Sequence, residues 1–73
     1  MDRPAAEMAV LDEVEKIQSL HPPFHSAHEG YAMIDEEMHD LRRAVTQTRD
    51  RGQMRHECQQ IAARAIRFMI DLT

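Results

Sequence analysis

The sequence has one cysteine, Cys58, and neither tryptophan nor asparagine. A lone thiol excludes an intrachain disulfide and fits a reducing compartment. The aromatic residues are Phe24, Tyr31 and Phe68 and no others. Glycine occurs only at 30 and 52, and proline only at 4, 22 and 23. No apolar run approaches the ~20 residues a membrane helix needs. The N-terminus lacks the apolar stretch of a signal peptide. These absences lead to the expectation of a cytoplasmic protein that does not enter a membrane. Strand-like alternation is also missing, so the expected class is all-α.

At 73 residues the chain is a single domain, 1–73. A chain this short is marginal on its own core, and such scaffolds usually add a disulfide, a metal or self-association. With the disulfide excluded, metal and self-association remain. The formal net charge is −4, and it is polarised: ten of the thirteen acids precede Leu41, and seven of the nine Lys and Arg residues follow it. An acidic first half argues against a nucleic-acid polymer, whose affinity comes from cations on phosphates. The same acids suit divalent cations, and the Arg-rich second half suits a smaller phosphate group.

The breakers divide the chain into three helical parts. The first helix is expected over 4–20, with Pro4 in its first turn and an apolar stripe of Ala6, Val10, Val14 and Ile17. HPPFHS then forms a linker, with Phe24 as an anchor. The second helix is expected over 26–49. Its start is marked by a capping box, Ser26 as N-cap and Glu29 three residues on. Its main stripe is Ala27, Tyr31, Ile34, Met38, Leu41 and Val45, at heptad-like spacing. A turn around Gly52 precedes a third helix over 53–72, with a stripe of Met54, Cys58, Ile61, Ala65, Met69 and Leu72. Helices two and three form an antiparallel hairpin with the first helix added. The stripes exceed what three short helices cover, so a homo-oligomeric bundle, a dimer or a tetramer, is expected.

The segment IDEEMHDL, Ile34 to Leu41, crowds four carboxylates onto that second helix. At about 100° per residue, Glu29, Glu36 and Asp40 fall on a polar face. Glu37 falls about 100° from Glu36, beside Gly30, Met33, Leu41, Ala44 and Thr48, inside a second apolar strip. An unpaired carboxylate there costs several kcal/mol, so it needs a cation. On the third helix Glu57 borders the apolar arc, with Gln60 and Arg64 on the adjoining flank. An antiparallel hairpin turns Glu37 and Asp40 toward Glu57 and Gln60. Three carboxylates and one amide suit Mg2+ or Mn2+ better than zinc. Solvent exposure is the simpler account of Glu29, Asp35 and Glu36. Glu13 borders the first helix's stripe and is expected to pair with an arginine. Cys58 lies in an apolar stripe, where a thiol is inert.

Glu36-Glu37-Met38-His39-Asp40 and Glu57-Cys58-Gln59-Gln60 resemble the paired EExxE and ExxD motifs of the MazG-like all-α nucleoside triphosphate pyrophosphohydrolases, in their small phage and bacterial form. HEGYAMIDEE and IAARAIRF add to the likeness, which spans roughly Phe24 to Leu72. Asp40 stands for the last Glu of the first motif and Gln60 for the Asp of the second. The Lys and Asn that often follow the second motif have no counterpart here. The resemblance implies Mg2+-dependent hydrolysis of a nucleoside triphosphate to the monophosphate and pyrophosphate. It implies metal ligation by Glu37, Asp40 and Glu57, with Gln60 at the fourth motif position. It further implies orientation or deprotonation of water by Glu36, and phosphate contacts from Arg64 or Arg67.

Three other readings use the same residues. A non-catalytic helical oligomerisation module accounts for everything except the position of Glu37. A di-metal carboxylate bundle uses Glu36 and His39 at Glu-x-x-His spacing. A structural zinc site draws on His21, His25, His28 and His56.

Overall fold

A computed structural model describes all residues, 1–73, as three helices and no strand. Helix α1 spans Arg3–Leu20, α2 spans Ala27–Arg43 and α3 spans Arg51–Leu72. A π-helical turn, Ala44–Thr48, extends α2. No helix is long and apolar enough to cross a membrane.

The helix ends follow local chemistry. Asp2 caps α1 by accepting from the Ala5 N–H at 2.9 Å, with Pro4 in the first turn where its missing N–H costs nothing. Pro22 disfavours helical backbone at His21, which is extended, so α1 stops at Leu20. Ser26 caps α2 through a bond from the Glu29 N–H at 3.1 Å. The Glu29 carboxylate does not complete the capping box. It lies 3.3 Å from His25 Nδ1 instead.

The α2–α3 connection is tighter than expected from Gly52. Arg49 adopts the left-handed conformation, φ 53°, and its N–H donates to Ala44 C=O at 2.8 Å. Asp50 then caps α3, accepting from the N–H groups of Gly52 and Gln53 at 2.8 and 3.1 Å. An N-cap carboxylate therefore starts α3 ahead of Gly52, which lies within its first turn.

Helix α3 is the central element. It packs on α1 along one side and on α2 along the other, while α1 and α2 do not pack together. The α1 face follows the expected stripe: Val14 and Ile17 are buried against Ala63, with Val10 and Ile66 beside them. The other two stripes require correction. Being flanked on both sides, α3 buries Gln60, Ala63 and Arg67, while Cys58 and Met69 are exposed. On α2 the covered strip is the second one. Gly30 and Ala44 are buried, and Met33, Glu37 and Leu41 are partly covered. A Cβ on Gly30 would come within 2.6 Å of the Phe68 ring, so the absent side chain sets how closely α2 and α3 approach. Tyr31, Met38 and Val45, from the expected main stripe, are 67%, 48% and 49% exposed.

The linker is fastened to the end of α3. Arg67 donates to His21 C=O at 3.1 Å, and its Nε lies 2.9 Å from Asp71 Oδ2. The same Asp71 oxygen accepts from the Phe24 N–H at 3.0 Å. Arg67 and Asp71 side chains are only 4% and 7% exposed, so this pair is a buried clasp.

Candidate metal centre

Two helices supply the site. Glu37 and Asp40 stand one turn apart on α2, and Glu57 faces them from α3. One carboxylate oxygen from each lies within 4.8 Å of the other two, and all three side chains are partly buried. No other three His, Cys, Asp or Glu residues converge in this way. In particular, His21, His25, His28 and His56 form no such group, and His39 turns its Nδ1 to Asp35 C=O at 2.8 Å.

The surroundings of each oxygen differ. The Glu37 side chain is 15% exposed, and Arg64 Nε lies 3.9 Å from its Oε1. Burial holds the Glu37 carboxyl above its ordinary value of 4.5. A hydrogen bond with Glu57 and repulsion from Glu57 and Asp40 push the same way, against the attraction of Arg64. Glu57 Oε2 is buried and has no donor. Asp40 takes a hydrogen bond from Arg43 on its exposed side.

This donor set fits a hard divalent cation. The ligands are all oxygen, the charge is strongly negative, and one buried oxygen lacks a partner. Asp40 and Glu57 open onto a depression of about 390 Å³ whose rim also carries Arg43 and His56. Arg43 is not singled out by the sequence, and His56 enters there only as a candidate zinc ligand. Both belong to exposed helix surfaces, and only the antiparallel register brings them to the same rim.

The remaining predicted site residues lie as follows. Gln60 is buried, and its side-chain oxygen accepts a hydrogen bond from Arg64, which occupies the atom that ligation would use. Glu36 is exposed and outside the cluster. Arg64 joins the acidic cluster to a cleft of about 300 Å³ between α1, the linker and α2, lined by Ile17, Phe24, Glu29, Met33, Arg64 and Arg67 among others. Arg67 reaches that cleft, but its guanidinium is committed to Asp71 and His21. Glu13 is buried, with the Gln59 amide 3.5 Å away as its partner and no arginine in contact.

Comparison of the chain with protein-family models, with curated proteins and with solved structures gives no match.

Proposed function

We propose that the chain is a Mg2+-dependent nucleoside triphosphate pyrophosphohydrolase of the MazG-like type, acting as a homo-oligomer. The observation that carries this reading is the three-carboxylate cluster of Glu37, Asp40 and Glu57 with an arginine at its inner edge. In this reading Glu37, Asp40 and Glu57 hold Mg2+ or Mn2+. When bound, the cation supplies charge neutralisation of the triphosphate and a more acidic water.

The chain's own residues do the rest. Arg64, 3.9 Å from Glu37 and lining the adjacent cleft, holds a phosphate oxygen beside the carboxylates. Glu36 accepts a proton from the attacking water, reaching the site from the solvent face through a rotamer change. Gln60 steadies the Arg64 guanidinium and so acts as a positioning residue. Arg67 maintains the cleft wall through its clasp on the linker. The polymer-binding alternative has little support in the charge pattern, since the first half is acidic and the net charge is −4.

The test is a panel of canonical and modified nucleoside triphosphates with Mg2+, scored for pyrophosphate release. Release that disappears in Glu37→Gln and Glu57→Gln supports the reading. Silence across the panel from folded, cation-bound protein contradicts it. That outcome favours the second reading, a non-catalytic oligomerisation module, to which the exposed apolar stripe of α2 also points.

A further inference from the structure

The stripe Tyr31, Met38 and Val45 recurs every seven residues, and Ala27, Ile34 and Leu41 complete a heptad seam. In a single chain only one flank of that seam is covered, because α3 docks on the Gly30–Glu37–Ala44 side and α1 does not reach α2. Sustained heptad spacing is the signature of a helix that pairs with another helix along its length. Here the second helix is missing from the chain's own fold.

We infer that the missing helix is α2 of a second copy of this chain, packed antiparallel about a two-fold axis at Met38. Three observations choose this occupant. First, the stripe is self-complementary. Reversal about Met38 sets Tyr31 on Val45 of the other copy and Met38 on itself, as a closed two-fold interface requires. Second, the charges beside the stripe match in that register. Asp35 and Arg42 lie on its open flank, one before and one after Met38, so each copy's Asp35 meets the other's Arg42. Within the chain Arg42 has no carboxylate partner, and Asp35 has only His39 at 3.8 Å, so both charges are available. Third, the surface area fits. The chain exposes 5335 Å², whereas a folded monomer of its 8.5 kDa mass exposes roughly 4,700 Å². The surplus is comparable to the roughly 800 Å² that each partner buries in a standard interface.

This inference rests on the self-association in the proposed function and adds its surface and geometry. Its test reads mass and cross-links alone, so its failure leaves the cation site standing and is distinguishable from failure of the hydrolase reading. Light scattering on the wild type is expected to give twice the chain mass. Met38→Glu is expected to give the monomer mass with helical circular dichroism retained, and Leu11→Glu, on exposed α1 surface, to remain dimeric. Asp35→Arg and Arg42→Asp each weaken the dimer, and the double exchange restores it. In a Cys58→Ser background, Tyr31→Cys mixed with Val45→Cys forms a disulfide-linked pair, and neither forms one with itself. A monomeric wild type overturns the inference. So does a dimer broken by Leu11→Glu but not Met38→Glu, or self-cross-linking of either cysteine variant.

Discussion

Glu37 on α2 and Glu57 on α3 turn their carboxyl groups toward each other across the helix interface, although both are acids. Burial and the repulsion between these acids raise the proton affinity of Glu37, so protons and a cation compete for the same oxygens. Cation binding therefore displaces a proton, so Mg2+ affinity falls as pH is lowered toward the Glu37 value.

The same relationship fixes a stability profile. Glu37 holds its proton more tightly folded than unfolded, so the folded state carries more protons between the ordinary value of 4.5 and the raised one. Metal-free protein gains stability from this group as pH falls through the raised value, and the gain is complete only below 4.5. It is lost as pH rises. Glu37→Gln keeps the shape and removes the charge. It is expected to melt higher than wild type at pH 7 without cation, to lose this component of the pH slope, and to gain nothing from Mg2+. Thermal scans with and without Mg2+ at several pH values check all three.

Gly30→Ala tests the close approach of α2 and α3. The added methyl would meet the Phe68 ring at 2.6 and 2.9 Å and Leu72 at 3.1 Å. Overpacking costs about 1–3 kcal/mol, against which alanine returns about 1 kcal/mol of helix propensity. A net loss of about 1 kcal/mol is expected in urea unfolding. A net gain would show that the helices are less closely packed at this point.

Arg49→Gly should stabilise the chain. Arg49 is the one non-glycine residue at positive φ, at the turn that joins α2 to α3. A side chain there costs roughly 1–2 kcal/mol, and glycine removes that cost while loosening the unfolded chain. An increase of about 1 kcal/mol is expected from chemical denaturation, and Arg49→Val should move in the opposite direction.

Asp71→Ala should unfold much of the protein. It strands the Arg67 guanidinium, whose side chain is 4% exposed, and frees the Phe24 N–H. Breaking a buried pair from one side costs about 3–5 kcal/mol, comparable to the whole stability of so small a scaffold. The double replacement Arg67→Met, Asp71→Leu should retain more helix than Asp71→Ala by circular dichroism, because no charge is left without a partner.

Much of this architecture is legible in the sequence. The three helices follow from their breakers and caps, and the α1 stripe needs only one apolar periodicity, which Val14 and Ile17 supply. Glu37 stands out because its neighbours by helical rotation are Gly30, Met33 and Ala44. What periodicity does not carry is which of two adjacent strips on α2 meets α3. Hydrophobicity favours Tyr31, Met38 and Val45, whereas close packing favours the strip with Gly30 and Ala44, and the latter is the one covered. Periodicity alone also misassigns α3. A helix flanked on two sides buries the line between its contacts, and there Gln60 bonds Arg64 while Arg67 pairs with Asp71 and donates to His21 C=O. The turn is misplaced for a related reason: glycine is the usual marker, but Asp50 starts α3 and Arg49 takes the strained position.

The central claim is that Glu37, Asp40 and Glu57 hold one divalent cation, and Mn2+ titration followed by electron paramagnetic resonance tests it most directly. The wild type is expected to remove free Mn2+ signal at a single site per chain. Glu37→Gln and Glu57→Gln should each restore that signal while remaining helical, and Glu36→Gln should bind as the wild type does. A full free-ion signal with wild-type protein, or binding that survives both glutamine replacements, would contradict the account.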